Sequence, residues 1–187
     1  IKEFNPDKVY SICALKYTPN RYDLPPHMQR YLWDSLMHYI PSHIPIELNI
    51  GCPNVMDMAD ISDFQLESYI KKFDNLTVKL PPTSLPIYIE NLYHIGIRKF
   101  HLSNTFPVQV YTDNGIICYG LSGRPLREKN LPFVEKIADM KLNGISIIAG
   151  GGIYTPQDVR DYHKAGATDY SLSTIFFTPW RVPSVLQ

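Results

Sequence analysis

Short runs of β-branched and aliphatic residues alternate along this chain with longer stretches whose apolar positions recur every three or four residues. The first pattern suits strands, the second helices laid on a sheet. Residues 8–14 (KVYSICA) read as a strand, followed by a proline-punctuated loop and a helix near 27–39. A second strand is expected at 44–50 with a helix over 63–73. A third falls at 76–80, closed by Pro81-Pro82, with a helix over 85–94. The fourth strand lies at 98–103. Residues 104–119 then carry two β-rich runs around the turn signal Asp113-Asn114-Gly115, which predicts a hairpin. Helical spacing resumes over 126–140, and a fifth strand at 146–149 enters Gly150-Gly151-Gly152. Thr155 caps a helix that starts at Pro156 and stops at Gly166, and a sixth strand at 169–172 leads into Ser173-Thr174.

Strands alternating with helices imply βαβ units and a parallel sheet. Six strands are fewer than the eight of a (β/α)₈ barrel of about 250 residues, and an open doubly wound sheet also suits a chain of 187 residues. Periodicity leaves both architectures open. In either one, polar residues at the strands' carboxyl ends gather on one edge of the sheet. They are Asn49, Cys52 and Asn54, then Lys79, then Ser103-Asn104-Thr105, then Gly151-Gly152, and last Ser173-Thr174.

The segment Glu47-Leu48-Asn49-Ile50-Gly51-Cys52-Pro53-Asn54 is the densest of these clusters. A strand ends there in two amides and a thiol, on a turn that Pro53 keeps from continuing the ladder. Asn offers donors and acceptors together, and a thiol exchanges a proton near neutral pH. Such a set suits a planar polar molecule on which one proton moves. Asn49 and Asn54 also read as ordinary turn residues, Lys79 as a cation reaching for solvent, and a lone cysteine as an inert buried thiol. The glycines, a helix N-terminus and the Ser173-Thr174 hydroxyls form a candidate phosphate cradle.

Composition narrows the setting. Apolar residues make up 44% and charged residues 19%, and 18 basic residues balance 18 acidic ones. That neutrality gives no electrostatic signature for nucleic acid or an anionic membrane. No apolar run approaches the roughly 20 residues that span a bilayer. Cys13, Cys52 and Cys118 lack zinc-type spacing, which predicts no metal site and free thiols in a reducing, cytoplasmic setting. The chain opens on Ile1 rather than methionine, so its true start is expected upstream.

ELNIGCPN, VKLPP, SNT, GLSGRPL, AGGGI and the final AGA…ST segment, in this order, closely resemble the dihydroorotate dehydrogenases. The resemblance runs from the strand at Val9 to Pro179 and implies an α/β fold, a TIM (β/α)₈ barrel with about six of its eight βα units in this chain. The whole of 1–187 is then expected to be one partial FMN-binding barrel domain. The resemblance implies FMN as cofactor and oxidation of dihydroorotate to orotate in pyrimidine biosynthesis. Cys52 is similar to the acid/base of the soluble class, taking the C5 proton while hydride leaves C6 for the flavin; the membrane-linked class has serine there. Asn49, Asn54, Asn104 and Thr105 match positions that hold the pyrimidine, and Asn49 is also grouped with the flavin contacts. Lys79 matches the lysine beside the flavin ring, and Ser103 another flavin contact. Gly123, Gly151, Gly152, Ser173 and Thr174 match the surroundings of the ribityl-phosphate arm.

Three positions depart from the family pattern. Tyr119 stands where a glycine is usual, Gly51 where serine is usual, and Ala149-Gly150 replaces a Gly-Val or Gly-Thr pair. The chain resembles the family from about its third strand to a point before its last helix, so a homodimer or a partner segment is expected to complete the barrel. A pyrimidine is the expected small-molecule partner. Two rival readings are a tRNA-dihydrouridine synthase, whose motif resembles NIGCP but which needs a basic surface, and a degenerate barrel serving as a structural subunit. The related dihydropyrimidine dehydrogenases carry iron–sulfur clusters that three cysteines do not supply.

Overall fold

A computed structural model describes residues 5–13, 26–51, 63–113 and 115–186. Strands β1 (Tyr10–Cys13), β2 (Ile46–Asn49), β3 (Leu76–Leu80), β4 (Lys99–Leu102), β7 (Ser146–Gly150) and β8 (Asp169–Ser171) form a six-stranded sheet. All five pairings are parallel. Helices α1 (Pro26–Tyr39), α2 (Asp63–Lys72), α3 (Pro86–Ile95), α4 (Arg127–Ala138) and α5 (Pro156–Lys164) alternate with them. The spatial order follows the chain order without a reversal. A doubly wound sheet reverses its strand order at a switch point, whereas a barrel does not, so this is part of a TIM barrel.

The strands alternate in period two, and the alternation sorts the two faces. Ile46, Leu48, Val78, Leu80, Phe100, Leu102, Ile147 and Ala149 are buried in the core, together with Met37, Leu66, Ile89, Val134 and Ile137 of the helices. Each fully buried aliphatic side chain there contributes about 1.5–3 kcal/mol before ordering entropy is counted. The intervening residues Ser11, Glu47, Asn49, Thr77, Lys79, Lys99 and His101 stand on the other face. A barrel interior is usually packed with bulky branched side chains. Here that inner face is polar.

The remaining two strands form the expected hairpin, β5 (Phe106–Thr112) against β6 (Gly115–Leu121), antiparallel and apart from the main sheet. Asn104 and Thr105, just before it, are engaged at the end of β4. Tyr119 pairs with Val108 and is exposed on this ribbon. After β8 come 3₁₀ turns at Thr174–Phe177 and Pro179–Arg181, then the short helix α6 (Val182–Val185).

Helix α5 begins with a capping box. Thr155 Oγ1 accepts from Asp158 N at 3.3 Å, and Asp158 Oδ2 accepts from Thr155 N at 2.9 Å and from Tyr154 N at 3.0 Å. Thr155→Ala is expected to lower stability by about 1 kcal/mol, read as a shift in the urea midpoint at unchanged slope.

Candidate functional site

Asn49 ends β2, and Asn104 follows β4. Asn104 Nδ2 donates to Asn49 Oδ1 and to Gly51 O, both at 3.0 Å, and Asn104 Oδ1 accepts from Thr105 N at 3.0 Å. Both amide hydrogens of Asn104 are thereby committed, and its oxygen keeps a second lone pair. Beside it Thr105 Oγ1 is buried without a hydrogen-bond partner among the described residues. Gly51 lies so close to Pro81 that a Cβ would fall 2.1 Å from its Cδ, a steric counterpart to the glycine found where the family usually has serine. Cys52 and Asn54 lie outside the described residues.

Register places Asn49 beside Lys79 and Lys79 beside His101, a polar row across three strands. One step down the barrel Glu47 connects the group. Its carboxylate accepts from Ser11 Oγ at 2.7 Å, meets His101 Nδ1 at 2.6 Å and lies 3.7 Å from Lys79 Nζ. Burial on its own would raise the Glu47 pKa, but the His101 hydrogen bond and charge, then Lys79 and Ser11, outweigh it and hold the carboxyl at about 2. Lys79 is therefore neither snorkelling freely nor an isolated buried charge. Its side chain is 23% exposed and ion-paired with Glu47. His101 Nε2 is buried and has no hydrogen-bond partner among the described residues.

The second half of the mouth is built from glycines. Gly123, Gly151 and Gly152 all have positive φ, 72°, 89° and 72°. A Cβ on Gly152 would lie 2.9 Å from Arg124 O and 3.1 Å from Gly123 O, and one on Gly123 would lie 3.8 Å from Thr174 Oγ1. Ser173 is exposed at the start of the turn carrying Thr174. Ser103 joins the two halves, since a Cβ on Gly150 would fall 2.8 Å from its Oγ. The sequence also nominated the N-terminus of α5 for an anion, but Asp158 already occupies it. That carboxyl is pushed up by burial and, more strongly, held below the usual range by Thr155, the Tyr154 amide and Arg124. The cradle is left to the glycine turn and the Ser173 and Thr174 hydroxyls.

The arrangement offers the Asn49 and Asn104 amides to a flat ring at one end, and a backbone turn to an anionic tail at the other. A cation stands between strands β2 and β4, beside the ring end. The donor set fits FMN: a glycine turn packed too closely on Arg124 O and Gly123 O to carry side chains, with the Thr174 hydroxyl beside Gly123. Sequence reasoning missed Ser11, Glu47 and His101, although the alternation I-E-L-N-I and K-F-H-L-S already marks a polar sheet face. Among the described residues no group of three His, Cys, Asp or Glu side chains is placed to hold a metal ion, and no helix is long and apolar enough to cross a membrane.

The dihydroorotate dehydrogenase family profile matches residues 35–187. The chain belongs to this family. It is 29% identical over 164 residues to the catalytic subunit of dihydroorotate dehydrogenase B (NAD(+)) from Enterococcus faecalis, covering 79% of this chain and 52% of that one. The corresponding subunit from Petrotoga mobilis is 31% identical over 153 residues, 71% of this chain and 49% of the relative. A quinone-type dihydroorotate dehydrogenase from Synechocystis is 36% identical over 70 residues, 36% of this chain and 18% of the relative. Among solved structures, Eimeria tenella DHODH in complex with ferulenol superposes with a TM-score of 0.63 at 19% identity, covering 82% of this chain and 51% of that one. The likeness shows the partial barrel fold. The chain spans about half the length of the NAD(+)-type relatives it matches.

Proposed function

We propose that this chain carries the substrate- and flavin-binding part of an enzyme that oxidises dihydroorotate to orotate. One observation supports the reading most: Asn104 reaches across 55 residues to Asn49 and also holds Gly51 O. That contact brings the end of β2, through Gly51, and the SNT turn to one mouth, and Cys52 follows Gly51 in the sequence.

In this reading Asn49, Asn54, Asn104 and Thr105 bind and orient the pyrimidine through its imide and carboxylate edges. Cys52 takes the proton from C5. Lys79, held by Glu47, places a positive charge beside the ring plane. Ser103, Gly123, Gly151, Gly152, Ser173 and Thr174 hold the cofactor, with the last five around its phosphate arm. FMN, when bound, supplies the acceptor for the C6 hydride. The Enterococcus relative is a catalytic subunit. By analogy a second copy or a further segment completes the barrel on the edges of β1 and β8, where backbone groups lack strand partners among the described residues.

Purified full-length protein is expected to be yellow, and dihydroorotate should bleach its flavin absorbance in the absence of oxygen. A colourless protein that FMN does not reconstitute overturns the reading. Binding of tRNA at moderate salt by a flavin-loaded protein indifferent to dihydroorotate would replace it with the dihydrouridine synthase alternative.

A further inference from the structure

Two side chains behind the sheet stand outside the mouth, yet both reach its glycine turn. Asn130 of α4 donates from Nδ2 to Leu102 O at 2.6 Å and also to Gly150 O. The Tyr162 hydroxyl of α5 lies 2.9 Å from Gly150 O and 2.8 Å from Gly151 O. Both side chains are fully buried. Burial pushes the Tyr162 pKa up to about 12, so the hydroxyl keeps its proton and remains a donor at ordinary pH. Asn130 Oδ1 has no partner among the described residues, an unfavourable state that an alkyl side chain at the same position would avoid.

The consequence follows from peptide geometry. A peptide unit is planar and trans, so its C=O and N–H point in opposite directions. Holding Gly151 O toward α5 turns the Gly152 N–H away from the helices, to the mouth side of the sheet. That N–H donates to nothing among the described residues. Gly151 and Gly152 both have positive φ, +89° and +72°, a backbone turn that glycine adopts without strain. Asn130 acts at a second point, tying the end of β4, next to Ser103, to the end of β7.

We propose that Tyr162 and Asn130 are positioning residues that aim the Gly151–Gly152 amide at the phosphate of the bound cofactor, and so make this site prefer a phosphorylated flavin to an unphosphorylated one. The inference rests on the flavin reading above. It assigns phosphate selectivity to two helix residues that never touch the ligand.

Riboflavin has the same ring and no phosphate, which makes it the probe. In full-length apoprotein, Tyr162→Phe is expected to weaken FMN binding about tenfold, the usual worth of one buried hydrogen bond, and to leave riboflavin binding within about twofold. Asn130→Leu should act in the same direction. Quenching of flavin fluorescence measures both affinities, and Tyr162→Phe, which removes a single oxygen, keeps the test available if Asn130→Leu fails to fold. Equal loss for FMN and riboflavin, or no change in either, overturns the inference while leaving the flavin reading intact. A wild-type protein that binds neither flavin overturns that reading, and this inference with it.

Discussion

Cys52→Ser is expected to slow reduction of the bound flavin by dihydroorotate about 10²–10⁴-fold, the range set by general acid–base catalysis. The oxygen of serine is a much weaker acid than the sulfur of cysteine, so near neutral pH it holds its proton and accepts another poorly. Binding should change little, because the groups assigned to the pyrimidine are the amides of Asn49, Asn54 and Asn104. Stopped-flow absorbance of the full-length protein under anaerobic conditions separates the two effects. Cys118→Ser is the control: this thiol is exposed, on the outer hairpin, and its replacement should leave the rate unchanged. A loss smaller than about tenfold in Cys52→Ser would remove that residue from the proton transfer.

The second large effect concerns Glu47, which sequence reasoning did not single out. Glu47→Ala takes the shared acceptor from Ser11, His101 and Lys79 at once. Removing one member of a buried charged cluster destabilises by about 3 kcal/mol or more, because the remaining charge and donors stay desolvated. The pH dependence has a definite sign. The Glu47 carboxyl is depressed from 4.5 to about 2 in the fold. Its stabilisation is therefore complete above pH 4.5 and is lost as pH falls from there through about 2. At neutral pH that contribution amounts to about 3 kcal/mol. Glu47→Gln keeps the shape and most hydrogen bonds but not the titration. Urea unfolding of wild type and Glu47→Gln at pH 7 and pH 3 should show the wild type losing more stability on acidification. Parallel losses would mean that Glu47 is not held ionised by its neighbours.

Much of the fold was legible in the chain. The period-two runs marked the six sheet strands within a few residues, and Thr155 with Pro156 marked the start of α5 to the residue. The hairpin was legible from its turn signal, and Asn104 and Thr105 before it stand at the end of β4, where the sequence placed them. Strand count left barrel and open sheet undecided. The unreversed strand order settled it, and order depends on how the βα units pack, a long-range matter that local periodicity does not encode.

The candidate site divides in the same way. Asn49, Lys79, Asn104 and the glycines were visible because each stands at a strand end beside a turn, a local signal. Glu47 and His101 were not, since each sits inside a strand and looks unremarkable until the register brings β2, β3 and β4 side by side. Asn130 and Tyr162 were further hidden by lying in helices, on the faces expected to be apolar.

By itself, then, the sequence determined which segments become strands and helices and which polar residues end them, since propensity, capping and turn chemistry act over a few neighbouring residues. Only the tertiary structure decided that Lys79 is paired with Glu47, that Asn104 bridges to Asn49, and that the N-terminus of α5 is filled by Asp158 rather than open to an anion. These outcomes depend on distances between residues far apart in the chain, and in a closely packed interior a few ångströms decide whether a buried charge is held or left alone.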